Sequence, residues 1–166
     1  MRVCQGLNRK RALYWKNAQN TNRTHLFQCV PVCYTKNKTM QKDFQKWAET
    51  KVGLHNSQTK RFFYEKEVWW CSLGVNIGYE EDGKNSFFTR PVLILRKFNK
   101  DMFIGVPLST TEKEGQYHYR FPFLTGYSTA LLSQIRLLDS KRLANKMGSI
   151  SKEELGKIRQ LVKGVV

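Results

Sequence analysis

The sequence predicts an α+β fold, an antiparallel strand-rich core closed by a C-terminal helix. Three observations predict it. Short apolar or alternating runs, separated by turn residues, recur between positions 67 and 132. Asn99-Lys100-Asp101 falls between two such runs and marks a hairpin. Ser151 followed by Glu154 forms a capping box ahead of an apolar helical stripe.

In chain order, residues 41–52 carry Phe44, Trp47, Ala48 and Val52 at the spacing of one helix face, and His55-Asn56-Ser57 ends that helix. Residues 57–66 form a polar connector with an aromatic patch, Phe62-Phe63-Tyr64. Glu67–Ser72 reads as a strand with large residues on both faces. A long loop from Gly74 to Thr89 holds three glycines and the acid cluster Glu80-Glu81-Asp82. Pro91–Phe98 is a buried strand, with Pro91 at its first position where no ladder donor is needed. Met102–Leu108, Gln116–Phe123 and Tyr127–Leu132 are further strands. The last helix places Leu155, Ile158 and Val162 on one face.

The chain has 166 residues, with 29 Lys and Arg against 13 Asp and Glu, a net charge of +16. That length suits one domain with an appendage, and a domain of this size buries roughly two-thirds of its unfolded surface without needing disulfides or metal. Apolar runs such as Val92–Leu95 fall far short of the about 20 residues of a membrane span. The N-terminus is basic without an apolar stretch, so no secretory signal is expected and the protein is expected to be cytoplasmic. The charge points to a polyanion, most simply nucleic acid.

Half of that charge lies in residues 1–39, which hold eight basic side chains and no acid, together with Cys4, Cys29 and Cys33. This segment reads as a basic tail, disordered or preceding the true start, with Met40 as the alternative start. Cys29, Cys33 and His25 lack a second ligand pair at metal-site spacing, so no metal is expected there.

The chain carries no glycine-rich phosphate loop, H-E-x-x-H or G-x-S-x-G motif. His118 lies in a strand between tyrosines and reads as a sheet-surface residue. Thr89-Arg90-Pro91 is more informative. An arginine just before a buried strand is held at the rim of the core, and its planar fork suits a phosphate. Pro107-Leu108-Ser109-Thr110-Thr111 ends the hairpin partner of that strand, so Arg90 and Ser109 are expected at one edge. There an arginine beside a hydroxyl would hold a developing phosphorane charge. Alternatively, Arg90 pairs with Glu80–Asp82 and the hydroxyls cap a turn. Likewise Gln134 and an Arg136–Asp139 pair either organise the fold or contact RNA.

Several ordered pieces resemble the MazF/PemK family of toxin endoribonucleases from type II toxin–antitoxin modules. They are Glu67-Val68-Trp69-Trp70-Cys71-Ser72-Leu73-Gly74, the Gly/acid loop, Thr89-Arg90-Pro91-Val92-Leu93-Ile94-Leu95 and Val106-Pro107-Leu108-Ser109-Thr110. Leu132-Ser133-Gln134-Ile135-Arg136-Leu137-Leu138-Asp139 and Met147-Gly148-Ser149-Ile150-Ser151 complete the series. The resemblance covers about residues 65–166, and 40–64 resemble the helical extension of a PemK-like subgroup. It implies a small bent antiparallel β-barrel related to Src-homology-3-like barrels and the CcdB gyrase poisons.

The resemblance also implies a homodimer that cuts single-stranded RNA without metal or other cofactor, leaving cyclic phosphate and 5′-hydroxyl ends. An acidic antitoxin would be its partner, and together the two would bind DNA. By resemblance Arg90 is the catalytic arginine. Ser109 stands where most members have threonine, with Thr110 as a substitute, and Glu80 matches a loop glutamate. The acid–base assignment does not transfer, because Tyr79 and Ser133 stand where some members have other residues. Loops 74–89 and 111–117 would read the RNA, with Tyr79, Phe87, Phe88, Lys84 and Gln134 as substrate-binding candidates and one of Trp69 or Trp70 buried. The competing reading is a non-catalytic binder on the same fold, a gyrase poison or an inactive RNA-binding protein.

Overall fold

A computed structural model describes residues 42–59 and 61–165, and the expectations for the basic tail and the alternative start lie outside the described residues. Helix α1 spans Phe44–Asn56. Strands follow as β1 (Glu67–Ser72), β2 (Thr89–Lys97), β3 (Met102–Ser109), β4 (His118–Phe123), β5 (Gly126–Leu131), β6 (Arg136–Asp139) and β7 (Leu143–Ser149), and helix α2 spans Lys152–Lys163. No described helix is long and apolar enough to cross a membrane.

The sheet is antiparallel throughout, in the order β4-β5-β3-β2-β1-β7. Strand β3 shares one edge between two partners: Met102–Gly105 pair with β6, and Leu108 and Ser109 pair with β5. The β2–β3 hairpin turns where the sequence indicates. Asn99 Oδ1 accepts from the N–H groups of Asp101 and Met102 at 2.8 Å each. Among the described residues no ladder joins β4 to β7, so the sheet is not closed by hydrogen bonds. Those edges meet through side chains: a Cβ on Gly148 of β7 would sit 3.3 Å from Leu124 and 3.5 Å from Phe123.

Strand β2 buries both faces, as its unbroken apolar run requires. Leu93 and Leu95 face one core with Val68, Val106, Leu108 and the α2 residues Leu155, Ile158 and Val162. Val92 and Ile94 face a second core with Phe63, Trp69, Cys71 and Phe103. The capping box forms its first half, the Glu154 N–H donating to Ser151 Oγ at 3.0 Å. The Glu154 carboxylate instead accepts from the Tyr119 hydroxyl at 2.9 Å, which ties α2 to β4.

Two expectations need correction. Pro91 is the third residue of β2, opposite Trp70, and does not open the strand. Only Trp47 is buried on α1, while Phe44 and Val52 are exposed, because the helix lies at the edge of the body with most of its surface in solvent. Strands β6 and β7 carry no sequence signal: each buries a single apolar residue, Leu138 and Leu143, and neither shows a clean period.

Candidate active site

Arg90 is the second residue of β2, opposite Cys71 on β1, and is 5% exposed. Each nitrogen of its guanidinium has a partner within the chain. Nε donates to the Asp82 carbonyl at 2.6 Å, Nη1 donates to the Leu108 carbonyl at 3.2 Å, and Nη2 pairs with Glu81 Oε1. The β2–β3 register, Val92 opposite Pro107, continues one step to set Pro91 against Leu108. Proline has no N–H to offer there, and the Leu108 carbonyl takes the arginine instead. Burial pulls the guanidinium below its ordinary range, and the charges of Glu81 and Asp82 oppose that pull.

The loop facing Arg90 is pinned along its length. Asp82 Oδ1 accepts from the Asn76 N–H at 2.6 Å, and Asn76 Nδ2 donates to the Glu81 carbonyl at 2.9 Å. Gln134 Oε1 accepts from the Glu81 N–H at 3.0 Å, and Gln134 Nε2 donates to the Tyr79 carbonyl at 3.3 Å. Gln134 therefore holds the loop backbone at two points, the fold-organising alternative for this residue. Arg136 donates to Gln134 at 3.3 Å, and among the described residues it makes no ion pair with Asp139. The Lys84 and Thr89 backbones exchange hydrogen bonds of 2.8 and 3.0 Å, which turns 84–89 into a tight tip.

Ser109 ends β3, opposite Thr129 on β5, and is 7% exposed. Its Oγ accepts from the Thr111 N–H at 3.1 Å, which leaves the hydroxyl proton free to donate. Arg90 and Ser109 line one cavity of about 250 Å³ with Thr110, Ser128, Lys84 and Trp70. A second cavity, of about 540 Å³, lies on the other side of Arg90, lined by Glu80, Glu81, Asp82 and Lys42. The first cavity joins Lys84 and Arg90 to the hydroxyls of Thr89, Ser109, Thr110 and Ser128 among apolar walls, and the second sets carboxylates among Lys42, Lys84 and Arg90.

Trp69 is buried and Trp70 opens onto the smaller cavity. Tyr79 is fully exposed and Phe87 is 72% exposed, both free to stack on a base. Phe88 corrects the expectation: it is 7% exposed with its ring centroid 5.5 Å from that of Trp47, so it belongs to the packing. Glu80 is exposed and accepts from the Ile77 N–H at 3.2 Å, while the carboxylate on Arg90 belongs to Glu81. Sequence reasoning named Glu81 only within the acid cluster, since three adjacent acids look alike in sequence. His118 lies outside both cavities, its Nδ1–H donating to the Glu114 carbonyl at 3.0 Å.

The family model for the PemK-like, MazF-like toxin of type II toxin–antitoxin systems matches residues 64–166, more than half of the chain. The crystal structure of MazF from Deinococcus radiodurans has a TM-score of 0.51 at 16% identity, over 63% of this chain and 96% of that one, and shares the fold. An endoribonuclease in complex with its cognate antitoxin, from a mycobacterial species, gives 19% identity and a TM-score of 0.46 over 62% and 93%. The MazE–MazF structure from Deinococcus radiodurans gives 13% and 0.46 over 63% and 95%. No curated protein matches. The match over 64–166 spans more than half of the chain and agrees with the antiparallel sheet, so the chain belongs to the PemK-like, MazF-like toxins of type II toxin–antitoxin systems.

Proposed function

We propose that this protein is the toxin of such a pair and acts as a metal-independent, sequence-specific endoribonuclease. It cuts single-stranded RNA to 2′,3′-cyclic phosphate and 5′-hydroxyl ends, and so stops translation and growth. The observation that carries the reading is one cavity lined by both Arg90 and Ser109, with Arg90 Nη1 bonded to the carbonyl of Leu108, the residue before Ser109. A 2′-hydroxyl attacking the adjacent phosphorus builds negative charge on the non-bridging oxygens. A guanidinium and a hydroxyl donor held by the fold meet that charge once the phosphate displaces Glu81 from the fork. Arg90 stabilises the phosphorane, and Ser109, with Thr110 beside it, orients the phosphate. Glu80 or Tyr79 moves protons, and Glu81, the carboxylate already on Arg90, joins them as a candidate. Tyr79, Phe87 and Lys84 contact the unpaired strand.

The protein works as a cytoplasmic homodimer whose two copies share the RNA groove. An acidic antitoxin that folds on binding covers the basic site and, in complex with the toxin, binds DNA.

The test is purified wild-type and Arg90→Ala protein, each with EDTA, on a long RNA with its cut ends mapped. Wild type is expected to leave cyclic phosphate and 5′-hydroxyl ends. The Arg90→Ala variant is expected to lose about 100- to 1,000-fold in rate. Undiminished cutting by Arg90→Ala sinks the mechanism. No cutting by wild type over a broad set of RNAs favours the non-catalytic binder, for which gyrase inhibition is then assayed.

A further inference from the structure

We propose that helix α1, which lies outside the family match, is a brace that positions the Arg90 loop, with Lys42 as a positioning residue acting through Asp82. The path is short. Lys42 Nζ pairs with Asp82 Oδ2 at 2.7 Å and donates to the Asn76 carbonyl at 2.8 Å. Asp82 Oδ1 takes the Asn76 N–H, and the Asp82 backbone carbonyl takes Arg90 Nε at 2.6 Å. One residue thus connects α1 to the guanidinium: its side chain is held by Lys42, and its carbonyl fixes one edge of the fork.

Lys42 is itself placed by the helix. It immediately precedes Asp43, the N-cap, whose Oδ1 accepts from the Lys46 N–H at 2.9 Å. One turn on, the Trp47 indole seats against Gly74, the first residue of the loop, where a Cβ would lie 2.0 Å from Trp47 Cε2. Its ring also meets Phe88 at the other end of the loop. The Arg142 guanidinium lies 5.7 Å from the same ring, while Arg142 Nη1 donates to the Ser72 carbonyl at 2.8 Å. The helix therefore grips both ends of the loop with Trp47 and its acidic middle with Lys42. Its exposed outer face explains why only Trp47 is buried: α1 serves the loop and adds little to the core.

A partly exposed ion pair is a weak clamp for overall stability, so the effect is local order in the loop. The kinetic part of the test rests on the endoribonuclease reading, and the exchange part does not. The full chain is compared as wild type, Lys42→Ala, Lys42→Arg and Val52→Ala, the last an exposed control on the same helix. In Lys42→Ala, amide exchange across 74–89 is expected to speed up about tenfold while β2 and β3 keep wild-type protection. The kcat for RNA is expected to fall about tenfold with KM within about twofold, because a misplaced arginine costs the transition state more than the bound substrate. Lys42→Arg is expected to restore most of both, and Val52→Ala to change neither.

Wild-type exchange in Lys42→Ala overturns the brace. So does a loss confined to KM, which would make Lys42 a phosphate contact only. If the wild-type protein cuts no RNA, the functional reading fails and the exchange arm alone decides the brace.

Discussion

Glu81 and Arg90 form an ion pair at the centre of the candidate site, and Glu81 Oε2 also lies 3.9 Å from Lys113 Nζ. The carboxylate holds the position on the arginine fork that a phosphate would need. An incoming RNA phosphate therefore competes with the protein's own anion, a repulsive element that disfavours weak ligands.

Removing that charge separates the two roles of the pair. Glu81→Gln is expected to bind a non-cleavable RNA more tightly, by about threefold to tenfold, as like-charge competition disappears. The same change is expected to lower unfolding stability by about 1–3 kcal/mol, because the buried guanidinium loses its charged partner. Equilibrium binding and urea unfolding measure both. Weaker RNA binding with an intact fold would show that Glu81 contacts the substrate and does not oppose it.

Ser109 gives a test of hydroxyl chemistry against bulk. Ser109→Ala is expected to lower kcat about 10- to 100-fold, the worth of one hydrogen bond to a charged oxygen. Ser109→Thr keeps the hydroxyl and is expected to stay within about threefold of wild type. Single-turnover RNA cleavage reads both, and equal activity in the alanine variant would remove Ser109 from the mechanism.

Two glycines should respond in opposite directions. Gly74 has φ +89°, and a Cβ there would collide with Trp47, so Gly74→Ala is expected to cost at least about 1–3 kcal/mol. Gly156 lies inside α2 with nothing within 4 Å of a Cβ, so Gly156→Ala is expected to stabilise by about 0.5–1 kcal/mol. Thermal unfolding distinguishes the two, and a neutral Gly74→Ala would contradict the seat described for Trp47.

Glu67 sets an acid limit on stability. Burial raises its pKa, but Lys146, the Tyr64 N–H and the Trp69 indole N–H outweigh it, so the folded value lies below the ordinary 4.5. The unfolded chain then takes up the proton first. The stabilisation is fully present above about pH 4.5 and is lost as the pH falls through the lower folded value. Urea unfolding between pH 6 and pH 3 is expected to show a shallower acid decline in Glu67→Gln than in wild type.

Much of the frame is legible in the residues because it rests on local rules. The hairpin at Asn99–Asp101 follows from an Asx turn between two apolar runs, and α2 from a cap and a 3.6-residue stripe. The edge shared by Arg90 and Ser109 follows from hairpin geometry alone. Strands β6 and β7 escape the same reading. Their pairing is set by β3 and β1, and a strand that buries one leucine has no pattern of its own.

The sequence by itself determined the antiparallel core, the closing helix and the Arg-Pro junction that marks the family, because turn, cap and period signals act over a few residues. Only the tertiary structure decided which acid meets Arg90, that Phe88 packs while Phe87 faces out, and that α1 serves the loop rather than the core. Those choices depend on contacts between residues far apart in the chain: Lys42 with Asp82, Trp47 with Gly74, and Gln134 with Glu81. No local preference encodes such contacts, since each side chain is selected by the space and charge that distant segments bring to it.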